Sequence, residues 1–515
     1  MNFDDVLDEI GSFGPYQILI WIQLEVVMSV AMGMNMNYMI LAMAAPDWFC
    51  EMTTAEGNST RSTDCAVFDS CKNVRFKEED ILTVPTEFHL YCDMAFIGET
   101  LPSVQIAGLL CGAIFWGQMA ELFGRKWTYL AIYVYGMITG IIVSYSPTWQ
   151  LYAVGLFVVG SAVGGFWCVG FVLVQEVTGE KYRPLTYLID GWIVGGFVSA
   201  FVQWYLRNWR LITFWCNLIG ILLIPPFFFI VKESPRWLIA HDKIEDAKLV
   251  VANIAARNKR KVSEKTLANL HKTQKLDEGT KKYSYWHLCW TPKMTLTFSV
   301  LLFSWFANSL VSYGLYYNIK SLPGNRYLNM FISSAIGAGE NILTYLATLK
   351  LGRKVLHQIS MMTMIVCLSV VVIADEFLEG LGKNVQETLI TCFALLGGTF
   401  AGPSWLVNYM YTAELFPTVI RPHSNSTGSV AARVGGMLGP VVLYLRLTWT
   451  SLPYLIWIGV IIANAILAAI FLPETKGKPL NDSLPENGWR KYKKNRNAKA
   501  EDPWKHDDLV KETLM

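Results

Sequence analysis

Apolar stretches of about twenty residues recur from one end of this chain to the other, and that recurrence leaves few folds open. A helix of that length crosses the ~30 Å hydrocarbon core of a bilayer. Inside the bilayer every backbone N–H and C=O must be satisfied within the protein, which a helix achieves on its own. Twelve such stretches can be read, at roughly 17–45, 97–119, 127–146, 149–175, 185–206, 211–231, 294–317, 327–349, 355–374, 386–411, 424–446 and 452–472. The runs near 97–119 and 327–349 are weaker because polar residues interrupt them. Only 16% of the 515 residues are charged, against about a quarter in ordinary soluble domains. The net charge of +2 implies no general affinity for nucleic acid.

The opening MNFDDVLDEIGSFGPYQ is acidic and has no apolar core of its own. Residues 1–16 are therefore read as a cytoplasmic segment, not as a secretory signal, whose first part is basic. Basic residues cluster after span two (Arg125, Lys126), span four (Lys181, Arg183), span six, span eight (Arg353, Lys354) and span ten (Arg421). The alternate loops are poorer in them, although Arg207, Arg210, Lys383 and Arg446 fall there. Because basic loops are retained on the cytoplasmic side, both termini are expected in the cytoplasm; the location expected for the chain as a whole is the plasma membrane.

Two loops are long. Residues 46–96, expected outside the cell, contain Cys50, Cys65, Cys71 and Cys92 and the sequon at Asn58. Four cysteines on an oxidising side allow two disulfides in any of three pairings, and Asn58 is a glycosylation candidate. Sequons at Asn425 and Asn481 lie on the other side and are set aside. Residues 232–293 divide the spans six and six, giving an N-terminal bundle at 17–231 and a C-terminal bundle at 294–472, with a flexible tail at 473–515. Within this linker, IEDAKLVVANIAARN reads as an amphipathic helix lying under the membrane. The basic run Arg257–Lys261, with Asn258 interposed, reads as a solvated face near anionic headgroups, not as a nucleic-acid signal.

Several motifs occur twice, once per half. GQMAELFGRK (Gly117, Glu121, Gly124, Arg125, Lys126) follows span two, and LKLGRK (Gly352, Arg353, Lys354) follows span eight. A tight glycine turn with paired cations can lock against helix ends and carboxylates in one conformation and release in the other. EVTGEKYR places Glu176 seven residues before Arg183, and YTAELFPTVIR places Glu414 seven before Arg421. These glutamates are expected to pair in turn with the loop arginines. KESPRWL follows span six and LPETKGKPL follows span twelve. Simple positive-inside anchoring is the plain alternative for each basic turn.

With these motifs, the cysteine-bearing first loop, the opening FDDVLDEIGSFGPYQ and GNRYLN (Gly324–Asn329), the chain resembles the major facilitators, specifically the organic-ion transporters of solute carrier family 22. The resemblance covers nearly the whole chain. It implies an all-α membrane protein of twelve transmembrane helices in two six-helix bundles. Departures are visible: Glu121 and Leu122 stand where the superfamily has Asp then Arg, the second copy lacks its Asp near Leu349 and Lys350, and Gly337 stands where members often carry Glu. Glu340, three residues on, falls on nearly the same helix face.

One charge sits deep in a span: Arg433, within SVAARVGGMLGP. A charge near the bilayer centre costs roughly 2.5–3.5 kcal/mol on insertion scales, so such a residue faces protein or a watery cavity. In the family resembled, this position tends to be acidic in cation carriers and basic in anion and carnitine carriers. Arg433 thus points to a carboxylate or sulfate held bidentately. The alternative is permanent pairing with Asp190, Glu340 or Glu25. Gly435, Gly436 and Gly439 would let a ligand or a neighbouring helix come close. A membrane carboxylate facing the same cavity, Glu340 or Asp190, would suit a zwitterion, and Tyr313, Tyr316, Tyr317, Trp167, Trp305 and Trp405 are available to cage a quaternary ammonium.

No catalytic constellation, metal spacing or phosphate-binding loop occurs, so the chain does not read as an enzyme and no cofactor is expected. A coupling ion, Na+ or H+, is compatible with the pattern. The expected partners are a small organic ion and the lipid bilayer, with the protein acting as a monomer or weak homo-oligomer. The readings to be weighed are an organic anion or zwitterion carrier, an organic cation carrier of the same fold, and a transporter-like receptor or scaffold that moves nothing.

Overall fold

A computed structural model of the protein describes residues 3–53, 59–62, 65, 71, 74–76, 81–187, 191–274, 284–378, 380, 382–417 and 419–477. Ten helices are long and apolar enough to cross a membrane: α1 (Pro15–Ala42), α2 (Cys92–Phe123), α3 (Arg125–Val143), α4 (Trp149–Val177), α6 (Trp209–Ile230), α7 (Pro292–Ser321), α9 (Arg353–Phe377), α10 (Lys383–Leu415), α11 (Arg421–Leu447) and α12 (Leu452–Phe471). Two more complete the set of twelve. α5 (Gly191–Leu206) is apolar but short, and α8 (Arg326–Lys350) is long but more polar.

The fifth membrane helix does not begin at 185. Residues Glu180–Tyr187 form a 3-10 turn, which Arg183 tightens by donating from Nε to the Gln175 and Thr178 carbonyls and Thr186 by donating to the Arg183 carbonyl. Polar side chains that bond the local backbone in this way compete with helix propagation. α1 is also irregular, with a π-helical stretch at Ile22–Met28 that carries Glu25.

α2 packs along α4, and α7 along α11; between the first six spans and the last six the main packing is of α2 on α11 and of α5 on α8. Gly435 and Gly439 set the α7–α11 distance, because a Cβ on either would run into α7 backbone at Phe306 or Leu310–Gly314. These glycines admit a helix, not a ligand.

The long first loop carries a three-stranded antiparallel sheet, β1 (Trp48–Thr53) between β2 (Ser59–Ser62) and β3 (Val74–Phe76). Of the three pairings open to its cysteines, the structure has Cys50–Cys71 and Cys65–Cys92. Asn58 lies outside the described residues. On this loop face Arg210 bonds Glu87 at 2.7 Å and the carbonyls of Ser144 and Ser146 at 2.7 and 2.6 Å, which explains a cation where basic residues are otherwise sparse.

The opposite, linker face departs from the sequence reading. The acidic opening forms a helix, Phe3–Ile10, whose Phe3, Val6, Leu7 and Ile10 are buried. The linker helix Ile244–Arg257 forms as expected, but its Ala247, Val251, Ile254 and Ala255 are covered by protein, chiefly Pro235–Ala240 and then Glu264–Gln274, the N-terminal helix and the start of α1, not by lipid. Asn258 joins the two segments. Its Nδ2 donates to the carbonyls of Ile10 and Gly11 and to Gln17 Oε1, and its Oδ1 accepts from the Tyr16 N–H at 2.9 Å.

Truncating Asn258 would strand these buried groups, a loss of about 1–3 kcal/mol for each left unsatisfied. Asn258→Ala should therefore lower the thermal unfolding temperature and expose residues 3–10 to protease. Arg260→Ala, at an exposed neighbour, should do neither.

Candidate functional site

Midway along α11, Arg433 projects beside α7, where its Nη1 donates to Tyr313 Oη at 3.2 Å. Its Nε is buried without a hydrogen-bond partner. Among the described residues no carboxylate lies within ion-pair distance of it. Of the expected partners, Glu25 sits in the irregular stretch of α1, and Asp190 lies outside the described residues. Glu340, on α8, accepts from Thr344 Oγ1 and lies against Gly402 of α10. Neither Glu25 nor Glu340 forms an ion pair with the guanidinium.

Aromatic rings flank this arginine. Tyr313 stacks near Tyr317 with centroids 6.4 Å apart, and Tyr317 meets Tyr316 edge-on at 5.5 Å. From Tyr316 the line continues to Trp192 at 5.1 Å and Trp167 at 5.4 Å, crossing from the last six spans to the first. Tyr316 also donates to Asn37 Oδ1 on α1. Trp405 donates from Nε1 to Ser312 Oγ at 3.2 Å and packs on Trp305. Trp305 is fully buried, donates to Thr412 and packs on Tyr409, so it is a supporting core residue. Tyr409 is half exposed and within electrostatic reach of Arg433, as is the exposed Cys168 of α4. A guanidinium with spare donors among aromatic faces can hold a planar anion by a two-pronged hydrogen bond, and the rings suit an apolar or cationic remainder.

At the linker face the duplicated motifs build two similar clusters. In the first, Arg125 pairs with Glu121 at 2.7 Å and Glu176 at 3.3 Å. Glu233, from KESPRWL, accepts from the N–H groups of Arg125 and Lys126 and so caps the start of α3, where a carboxylate is favoured by the helix dipole. Gly124 is required there: its φ is +98°, and a Cβ would collide with the Glu233 carboxylate. In the second cluster Arg353 pairs with Glu414 at 3.0 Å, and Glu474, from LPETKGKPL, caps α9 through the N–H groups of Arg353 and Lys354 beside Gly352. The Lys126 ammonium lies over the Trp127 ring, and Gly117 lies near Cys168.

Glu176 and Glu414 pair with arginines of the basic turns, Glu176 with Arg125 and Glu414 with Arg353. The 3-10 turn commits Arg183 Nε to its own helix end and leaves Nη2 for Asp4 at 2.8 Å. Asp4 also takes Arg236 at 2.6 Å. Arg421 has buried Nε and Nη2 groups without hydrogen-bond partners. Asp4, Glu233 and Glu474 were not singled out from sequence, although all three lie inside quoted stretches.

The loop face holds a cluster that joins the first six spans to the last six. Glu99, near the start of α2, bonds Lys320 of α7 at 2.7 Å and Arg446 of α11 at 3.3 Å. Nearby, Lys320 Nζ donates to the Met43 carbonyl at 3.1 Å, Ser103 to the Met437 carbonyl at 2.7 Å, and Phe96 meets Tyr444 edge-on. At the linker face, by contrast, the ion pairs among the described residues stay within one half. The molecule is thus closed between its halves at the loop face.

Residues 26–483 match the family described as sugar (and other) transporter. The organic cation transporter protein of Drosophila melanogaster is 26% identical, over 94% of each chain. Solute carrier family 22 member 2 of Rattus norvegicus is 31% identical, over 80% of this chain and 73% of its own. Among solved structures, the inward-open xylose transporter of E. coli superposes with a TM-score of 0.61 at 16% identity, covering 88% of this chain and 96% of that one.

The cap of α9 carries a pH signature. Burial works against the Glu474 charge, but the N–H groups of Lys476, Arg353, Lys354 and Thr475 outweigh it and hold the carboxyl below 4.5. A depressed carboxyl stabilises the fold above its unfolded value, and that contribution disappears as pH falls through the folded value. Glu474→Gln should thus lower the unfolding temperature at pH 7, and the gap from native protein should close as pH drops below 4.5; a gap that persists at low pH would mean that the carboxylate charge is not what stabilises the cap.

Proposed function

Because the chain belongs to the sugar (and other) transporter family, with a relative in solute carrier family 22 at 31% identity, we propose that it carries small organic anions or zwitterions by alternating access. The family makes it a multi-pass membrane transporter and not an enzyme. The linker face, with its Arg and Lys turns, is assigned to the cytoplasm and the disulfide-bonded loop to the outside, following the positive-inside rule. The present conformation is then closed to the outside.

The single observation that carries the substrate class is Arg433. It has a charged side chain inside a membrane-spanning helix, a buried Nε without a partner and, among the described residues, a hydrogen bond to a tyrosine hydroxyl in place of a carboxylate. A permanently paired structural arginine would have a carboxylate within reach. A substrate carboxylate or sulfate would supply the missing acceptor, with Tyr313, Tyr317 and Trp405 around it and Glu340 on α8 as a candidate contact for a zwitterion's cationic end. A coupling ion, Na+ or H+, is compatible with this scheme.

A second reading, transport of organic cations, is favoured by the names of the Drosophila relatives and by the ring line from Tyr316 to Trp167. It would require Arg433 to be screened as a cation approaches.

Uptake of labelled carnitine, an aryl carboxylate and tetraethylammonium separates the two. At matched surface expression, Arg433→Ala and Arg433→Asp should each cut carboxylate uptake at least tenfold, an effect of ~1.4 kcal/mol or more, while Arg433→Lys retains part of it. Tetraethylammonium uptake by native protein that survives Arg433→Ala would instead establish the cation reading.

A further inference from the structure

The ion cluster at the loop face has a charge imbalance. One carboxylate, Glu99, faces two cations, Lys320 and Arg446, and its side chain is only 8% exposed, that of Lys320 3%. A carboxylate and an ammonium buried this far are held there only by each other and by well-placed hydrogen bonds, while Arg446 is partly exposed at 23%. Arg446 still has a buried Nε with no partner. Among the described residues, then, the cluster has one positive charge more than it can neutralise and at least one unused donor.

The placement of the three groups gives the imbalance a direction. Glu99 belongs to the first six spans, and both cations belong to the last six. If the halves part at this face, Glu99 leaves with its own half, and Lys320 and Arg446 stay together on one wall of the opening. They stand on α7 and α11, the two helices that carry Tyr313 and Arg433. At 1.5 Å per residue, Lys320 is about 10 Å along α7 from Tyr313, and Arg446 about 20 Å along α11 from Arg433. We propose that Lys320 and Arg446 form an anion-entry site for carboxylate or sulfate groups, which Glu99 occupies as a tethered substitute whenever the loop face is closed. Glu99 is then both lock and competitor: an incoming anion takes its place as the halves separate, and its return expels bound anion from the mouth. The proposal rests on the alternating-access reading given above and adds a second anion contact to it.

The test uses charged thiol reagents, not substrate, so it holds even if the substrate class has been misassigned. Cys168 is exposed, lies beside Gly117 of α2 and is within electrostatic reach of Arg125 in the first half and Arg433 in the last. With Cys111 and Cys392 replaced by Ala, it serves as the reporter. Membrane-impermeant sulfonate-bearing and trimethylammonium-bearing methanethiosulfonates are applied from the loop side to full-length protein in oriented vesicles.

Native protein should label slowly with both reagents. Glu99→Gln should speed labelling at least fivefold, with the sulfonate reagent gaining severalfold over the cationic one. Adding Lys320→Gln and Arg446→Gln should keep the mouth open but abolish that preference. The preference should survive Arg433→Gln, which separates the mouth from the centre. The swap Glu99→Lys with Lys320→Glu restores a pair and should slow labelling again, and it also serves if Glu99→Gln fails to fold. The proposal is overturned if folded Glu99→Gln labels no faster than native, if both reagents gain equally, or if the swap leaves the mouth open.

Discussion

A guanidinium in a membrane-spanning helix must be compensated, and the way Arg433 is compensated governs how the centre of this molecule can be read. It has one hydrogen bond to a neutral tyrosine and a buried Nε that bonds to nothing. The glycines at 435 and 439 bring α11 against α7 and so fix Arg433 beside Tyr313. The rings that follow along α7 lead to α5 and α4 in the other half. The centre is thus a cation with spare donors between aromatic walls, in a place where a fixed charge without an acceptor is costly. A transported anion can be that acceptor.

The two ends of the molecule differ in how their charges are arranged. At the linker face each half closes on itself: Arg125 with Glu121 and Glu176, Arg353 with Glu414, and a carboxylate from a later segment capping the next helix. Such clusters fix helix ends within a half and leave the halves free to part. At the loop face Arg210 and Glu87 also pair within the first half, but Glu99 there bridges the halves through Lys320 and Arg446. This asymmetry makes the described conformation one of at least two, since an alternating carrier must exchange which face is bridged. The N-terminal helix adds a feature with no counterpart among the described residues of the second half, for Asp4 holds Arg183 and Arg236 together and so stiffens the turn before α5.

Much of this was legible in the residues alone. Apolar run length located the twelve helices to within a few residues, because the bilayer imposes length and backbone satisfaction on each segment independently. Arg433 stood out for the same reason. The duplicated glycine turns at Gly124 and Gly352 were readable as local motifs. What could not be read was pairing at a distance. Glu99 registered only as a polar interruption in a weak span, and its partners lie 221 and 347 residues away. Asn258 looked like a gap in a basic run, yet it ties two segments more than 240 residues apart. Which loop arginine each glutamate takes, Arg125 for Glu176 and Arg353 for Glu414, was not legible either, because spacing along a chain does not say which way a turn will fold back. For Asn58 and Asp190, which lie outside the described residues, the sequence reading stands alone.

The most direct test of the central role given to Arg433 is a binding cycle on purified protein. A labelled aryl carboxylate and its neutral amide of the same shape are titrated against native protein and against Arg433→Ala. If the guanidinium holds the anion, native protein binds the carboxylate at least tenfold more tightly than the amide, and Arg433→Ala binds both equally. If the variant keeps the native preference, the anion is recognised elsewhere and Arg433 serves the packing of α11.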